Sequence, residues 1–472
     1  KGIKYTINEY LDKYPNDATL NELKAIDFDG KKMDEAFDNG VEIVKEIYEF
    51  TGNMLGFGLA QAATILSPEA FIFYGGLSNA KHRILDYAKK SMDRFPDAKI
   101  YKDYRVMLEK QKDIDAVTIS TPDHTHAVVT HACMERKLHV YVQKPLTHTI
   151  AEARLLRKAA KENKVVTQMG NQGTASDGIR EGAEYIQAGG IGRVKEIHAW
   201  TNRPVWPQAP EIIARPAEKM DVPSHLDWDS FIGPAPMRPY HSCYTPFKWR
   251  GWLDFGTGAL GDMACHTANL AYMACQLTQP NEIEDAGTGP INSETYPAWS
   301  SINMKFPEAN GRGPIDFHWY EGKVDLKKKN LPPMDLFHGE KPTNSGSLIV
   351  GDKGILYSPN DYGSRWKVYA DGKWKNSNEV DMPKPYIPRN GRGDGGMKEE
   401  WVKAIREGKP EIAMSNFEYS ANLTEAILLG NLAMRAGGKF SWDTDKLKAG
   451  SKKAQQYVSK KYRKGWEVVG VS

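Results

Sequence analysis

The sequence predicts an α/β protein in two parts: a doubly wound parallel sheet, then an α/β domain built on an open, mostly antiparallel sheet. Three observations point there. Between Ile100 and Met169, short β-prone runs alternate with helical stretches of about 10–15 residues, the pattern of a parallel sheet with helical crossovers. Two of these runs end in Pro-containing segments, Thr121-Pro-Asp-His-Thr-His126 and Gln143-Lys-Pro145. After Gly192 the alternation stops, and β-like runs follow one another to about Tyr357 before a helix-rich tail from about Gly396 to Tyr462.

Taken in order, residues 1–66 read as helical. From Asp34 to Leu59, Phe37, Val41, Val44, Ile47, Tyr48 and Leu55 recur at spacings of three and four, predicting one amphipathic helix. Ser67-Pro68 ends it, Ala70–Tyr74 is a short β-prone run closed by Gly75-Gly76, and Lys81–Arg94 is helical up to Pro96-Asp97. Arg105–Gln111 is a helix, Ile114–Ser120 a strand, His126–Lys137 a helix and His139–Val142 a strand. Ala151–Glu162 is a helix and Val165–Met169 a strand. Val194–Trp200 alternates as a half-buried strand does. In doubly wound sheets ligands bind beyond the carboxyl ends of the strands, where both Pro-containing segments fall.

Composition narrows the function. The 472 residues carry 63 Lys+Arg against 60 Asp+Glu, interleaved and not banked, so no nucleic-acid footprint is present. No apolar run approaches the roughly 18 residues that a membrane span needs. Cys133, Cys243, Cys265 and Cys275 form no C-x-x-C pair, which argues against a zinc ribbon or a disulfide scaffold.

Four groups of residues could carry chemistry. Lys144, at the end of a buried parallel strand, must have its charge hydrated, paired or used; it could lower the pKa of a substrate hydroxyl, or simply reach solvent. In Gly256-Thr-Gly-Ala-Leu-Gly-Asp-Met-Ala-Cys-His266, Asp262 and His266 stand four apart and share one helix face. That pair suits proton transfer, histidine as base and carboxylate as its orienting partner. The other readings are a first-turn Asp beside a satisfied histidine, or half of a zinc site lacking further ligands. Trp249-Arg-Gly-Trp252 leads directly into the glycine-rich segment, so Trp249, Arg250 and Trp252 could wall a sugar pocket; Trp200, Trp206, Trp228 and Trp319 read as core. His124 and His126, in a loop opening a helix, cap it or line a pocket and are not expected to hold metal.

Together Thr121–His126, Tyr141-Val-Gln-Lys-Pro145, Gly170-Asn-Gln172 and Gly258–His266 resemble the Gfo/Idh/MocA family of nicotinamide-dependent sugar oxidoreductases over about residues 90–472. Trp228–Tyr240 and Ser415–Tyr419 through Gly430-Asn431 fit one branch of it. The resemblance implies a Rossmann domain over residues 80–192 and, over 193–472, a substrate and oligomerisation domain whose C-terminal helices pack back on the first. It implies NAD or NADP as cofactor, a sugar or polyol as substrate, and a homo-oligomer. It makes Lys144 the catalytic lysine of the family's E-K-P motif, with Gln143 in place of the glutamate, and His266 the acid/base oriented by Asp262. Thr121, Pro122, His124, His126, Gln143, Lys144, Pro145, Asn171 and Gln172 would border the nicotinamide half of the cofactor. Two other readings remain open: glycoside cleavage through transient oxidation by a retained NAD, and a sugar-binding protein without dinucleotide.

The beginning departs from that family, which opens on a strand and a G-x-G-x-x-G turn. Residues 1–79 instead resemble the C-terminal part of a ROK-family sugar kinase, through Glu49-Phe-Thr-Gly-Asn-Met-Leu-Gly-Phe-Gly58 and Ser67–Ser78. The front of a kinase fold is missing, so kinase activity is not expected. Gly56-Phe-Gly58 followed by Phe71–Tyr74 mimics a nucleotide turn, but a helix precedes it and no acid ends the strand, so helix packing is the preferred reading of those glycines.

Overall fold

The computed structural model describes residues 10–11, 15, 17–25, 30–52, 99, 101, 103–223, 226–245, 247–468 and 470. The kinase-like segments beyond residue 52, the Gly56-Phe-Gly58 turn, the Phe71–Tyr74 run and the helix expected over 81–94 lie outside them. The chain separates into two compact units, Lys1–Lys112 and Asp113–Ser472.

In the first unit, the single helix expected from Asp34 onward is two. One spans Gly30–Asp38 and the next covers 42–52. Gly40 sits between them at φ +82°, a left-handed conformation that costs glycine little and that ends a helix. The apolar spacing still worked locally: Val44, Ile47 and Tyr48 are buried with Leu11, Leu20 and Met33, and Phe37 and Val41 pack against them.

The second unit begins with a parallel sheet ordered β1-β2-β3, formed by β1 (Ala116–Ile119), β2 (His139–Gln143) and β3 (Thr167–Gly170). Ala116 pairs with His139, and Val140 with Thr167. Helices Asp123–Met134 and Ile150–Asn163 make the crossovers. The second starts on a capping box in which Thr149 and Glu152 satisfy each other's backbone N–H groups. Asp123–Met134 starts three residues earlier than the sequence suggested. Pro122, in an extended conformation, serves as the N-cap, and Asp123 lies in the first turn, where a negative charge favours the helix dipole.

The remaining strands form one large sheet: β4 (Val194–Thr201), β5 (Glu282–Thr288), β6 (Trp299–Phe306), β7 (Ile315–Val324), β8 (Lys328–Lys329), β9 (Ser345–Gly351), β10 (Ile355–Ser358), β11 (Lys367–Ala370), β12 (Lys373–Asn376), β13 (Lys439–Asp443) and β14 (Lys448–Ala449). Its order is β12-β11-β10-β9-β4-β7-β6-β5-β13-β14, with β8 on β7. Within this sheet, among the described residues, only β4 and β7 pair in parallel. The tail read as helical thus also supplies two strands, β13 and β14, to this sheet.

Helix Phe417–Ala436 sits at the centre, packed on helices Ile150–Asn163 and Gly258–Thr267 and on β5. It is buried around nearly its whole circumference, covering Ser420, Thr424, Glu425 and Asn431 together with its apolar residues. Arg154 anchors it to the parallel-sheet layer by a two-pronged ion pair with fully buried Glu425, at 3.0 and 2.7 Å. Among the described residues no helix is long and apolar enough to cross a membrane.

Candidate active site

The glycine-rich segment folds into helix Gly258–Thr267, and its start is held from outside. Asp123, buried in the first turn after β1, accepts hydrogen bonds from the Thr257 backbone N–H (3.0 Å) and hydroxyl (2.6 Å). Asn431 donates to the Thr257 carbonyl (2.9 Å). Gly258 has φ +65°, and a Cβ there would come within 2.8 Å of the Tyr296 ring. The glycines therefore let the helix start approach its neighbours closely. Asp123 belongs to a quoted motif, yet sequence reasoning assigned it no role, because its partner lies 134 residues away.

This placement brings Asp262 to the residue that follows β2. Lys144 Nζ donates to Asp262 Oδ1 (2.7 Å) and to the Asp262 carbonyl (2.6 Å). Arg250 Nε lies 3.4 Å from the same carboxylate oxygen. The Arg250 guanidinium lies over the Trp249 ring (4.3 Å) and the Phe247 ring (4.7 Å). Side chains of Lys144, Asp262 and Arg250 keep 18%, 14% and 26% exposure, enough to meet a ligand. Burial works against the lysine's charge, but the Asp262 carboxylate outweighs it and holds the Lys144 pKa above the usual lysine value. Burial likewise works against ionised Asp262, and the two cations outweigh it, so its pKa is lowered.

His266, one turn on, is not bonded to Asp262 as expected. The lysine and arginine occupy the carboxylate, and His266 Nδ1 instead faces the Gln172 carbonyl at 3.3 Å. A carbonyl only accepts, so Nδ1 carries the proton and Nε2 presents a lone pair. Burial, reinforced by Lys144, lowers the His266 pKa to about 3. The site thus combines a fixed cation, Lys144, with a neutral imidazole acceptor.

His124 and His126 are both held by backbone carbonyls at their two ring nitrogens. His126 spans the two Pro-containing segments, with Nε2 at 2.8 Å from the Thr121 carbonyl and Nδ1 at 2.8 Å from that of Pro145. His124 reaches the carbonyls of Phe255 (3.1 Å) and Phe231 (2.8 Å). Both are buried, and both tie strand ends and loops together. Trp252 is not a pocket wall. It is fully buried against Tyr244, with its indole N–H donated to the Cys243 carbonyl (3.1 Å), because Arg238 and a cluster of Trp228, Tyr244 and Phe255 close around it. Trp249 is nearly buried beneath Arg250, which presents the polar edge of this cluster.

The carboxyl ends of β1 and β3 hold unsatisfied polar atoms. Thr121 Oγ1 and both amide atoms of the Asn171 side chain are buried without a hydrogen-bond partner. Buried polar groups are normally paired, so these two side chains fit a polar ligand with donors and acceptors of its own. Gln143 lies between them: a Cβ on Gly170 would come within 2.9 Å of its amide, so glycine there leaves the space the amide fills. The donor set fits the carboxamide end of a nicotinamide cofactor.

Two family models match the chain: the NAD-binding Rossmann fold of the Gfo/Idh/MocA oxidoreductase family over residues 78–171, and that family's C-terminal alpha/beta domain over residues 212–311. Among curated proteins, levoglucosan dehydrogenase of Pseudarthrobacter phenanthrenivorans is 24% identical over 201 residues, 42% of each chain. The match thus spans less than half of that relative's length. D-xylose 1-dehydrogenase (NADP(+)) of Hypocrea jecorina is 24% identical over 387 residues, 77% of this chain and 85% of the relative. Among solved structures, an inositol dehydrogenase homolog from Azotobacter vinelandii complexed with NAD+ superposes with a TM-score of 0.50 at 15% identity, covering 74% of this chain and 84% of the other.

Proposed function

We propose, from its matches to both Gfo/Idh/MocA domain models, that the chain is an NAD(P)-dependent oxidoreductase that moves a hydride to or from a ring carbon of a sugar or polyol. The Lys144–Asp262–Arg250 cluster beside His266, at the carboxyl ends of parallel strands, carries this reading. The nicotinamide, when bound, supplies the hydride donor or acceptor. Thr121, Gln143, Asn171 and Gln172 would hold its carboxamide end, alongside Lys144. Pro122 and Pro145 shape the same strand ends: the Pro122 carbonyl accepts from the Thr125 hydroxyl (2.9 Å), and the Pro145 carbonyl faces His126. Two of the three Lys144 ammonium protons point at Asp262, and the third is available to a substrate hydroxyl, whose developing alkoxide the charge stabilises. His266 Nε2 takes the hydroxyl proton in the oxidation direction and returns it in reduction. Arg250 adds a second cation at the same Asp262 oxygen and offers further donors to sugar hydroxyls.

Relatives named for levoglucosan, inositol and D-xylose support the sugar or polyol class. Residues 1–79 we read as a ROK-kinase-like segment, supported by the quoted motifs and by the start of the Rossmann-family match at residue 78. The test is direct: denature the purified chain, look for released NAD(P) by mass spectrometry, then titrate NADH against tryptophan emission and screen sugars for NAD(P)H formation. Lys144→Ala should leave folding intact and lower turnover by about 10²–10⁴-fold. Unchanged turnover would overturn the site, and absence of nicotinamide binding at millimolar cofactor would overturn the function in favour of sugar binding alone.

A further inference from the structure

The large sheet carries a second cluster of donor atoms that the reaction above does not use. His198 on β4 and His318 on β7 are register partners on adjacent parallel strands, and their rings stack with centroids 4.7 Å apart. Glu196, two residues before His198, projects from the same face and brings Oε2 to 3.2 Å from His198 Nε2. One donor atom from each of these three side chains lies within 4.8 Å of the other two.

Each imidazole is oriented through its other nitrogen. Asn303, the register partner of His318 on β6, donates its Nδ2 to Glu284 (3.2 Å), which turns its Oδ1 toward His318 Nδ1 at 2.7 Å. An amide oxygen only accepts, so His318 carries its proton on Nδ1 and keeps a lone pair on Nε2. His198 Nδ1 lies 3.0 Å from the Tyr320 hydroxyl. Hydrogen bonds of this kind are what fix ring orientation and tautomer in metal-binding histidines. Burial keeps both imidazoles below the usual histidine pKa, His198 at about 4, so both are neutral at neutral pH. Asp335 acts on His198, and Asp316 on His318, adding negative charge around the cluster.

We propose that Glu196, His198 and His318 bind one divalent transition-metal ion of the zinc class, with a fourth position left to water. Two imidazoles and one carboxylate are a donor set that suits zinc. Bonds of about 2.0–2.2 Å at tetrahedral angles place donor atoms roughly 3.4 Å apart. Glu196 Oε2 already stands at about that distance from His198 Nε2, 3.2 Å, so the site closes by a turn of the stacked His318 ring toward this pair, with Glu196, 46% exposed, free to follow. On binding, the metal takes Nε2 of His198, and its ring proton moves to Nδ1 to face the Tyr320 oxygen. This site stands whether or not the oxidoreductase reading does.

The experiment uses the full chain, untagged and stripped with a chelator. Cobalt(II) is titrated while visible absorption is followed, and zinc retained after dialysis is counted by elemental analysis. One equivalent should bind, with the strong visible bands of four-coordinate cobalt, and zinc should displace it. Glu196→Ala should weaken binding by about 10-fold or more and His318→Ala by about 100-fold or more, with circular dichroism unchanged. Because Glu196 is the exposed member, its variant keeps the test open should His318→Ala fail to fold. No retained zinc in the wild-type chain, or equal retention in the variants, would overturn the site; equal retention would place the metal on other groups, such as the free cysteines.

Discussion

Asp262 is shared by two cations, and that sharing governs what each neighbour can do. With Lys144 and Arg250 on the carboxylate, His266 is left neutral and turned by a backbone carbonyl. Asp262→Asn removes the negative charge that holds the lysine protonated. The alkaline limb of the kcat/KM profile should therefore move to lower pH in this variant. A profile that falls in amplitude without moving would show that Lys144 does not carry the titration. Trp252 provides a contrast at the same scale, since it lies in core and not at a pocket. Trp252→Ala should cost about 3–5 kcal/mol in urea unfolding, with KM for sugar unchanged in the folded fraction.

Among the elements, helix Gly258–Thr267 decides the geometry, and its position depends on one buried carboxylate from the far side of the parallel sheet. Asp123→Ala leaves the Thr257 N–H and hydroxyl without their acceptor. We expect a loss of about 1–3 kcal/mol in thermal or chemical unfolding. Turnover should fall as well, because the helix carries both Asp262 and His266, and Asp123→Asn should recover part of both losses. The strand–helix alternation and the helix itself were legible in the sequence, since periodicity and glycine punctuation are local signals. The break at Gly40, the early start at Asp123 and the strands β13 and β14 were not. Pro122, next in sequence, caps the helix at Asp123, β13 is fixed by pairing with the distant β5 and β14 follows on β13, and one glycine in a long apolar pattern is a weak sign of a break.

At the scale of the whole second unit, buried charge and buried histidine set how stability responds to change. Arg154→Ala would leave Glu425 fully buried without its cation between the central helix and the crossover helix, a loss of about 3–5 kcal/mol. His266 stays neutral in the folded chain down to about pH 3, whereas an unfolded histidine takes up a proton near 6.5. Its contribution is thus complete above pH 6.5 and is lost as pH falls below it, at roughly 1.4 kcal/mol per pH unit. Urea midpoints measured between pH 7 and pH 5 should fall, and His266→Gln should make that fall shallower by one histidine's share, since burial also depresses His124, His148 and His198. The sequence alone determined the fold class and the strand–helix alternation around the parallel sheet, and it singled out Lys144, Asp262 and His266 as candidates, because spacing along a helix or at a strand end is a short-range property. Only the tertiary structure decided which of them touch. The carboxylate went to the lysine and arginine, His124 and His126 became ties between loops, and His198 met His318 across 120 residues, because long-range packing selects partners that no local spacing encodes.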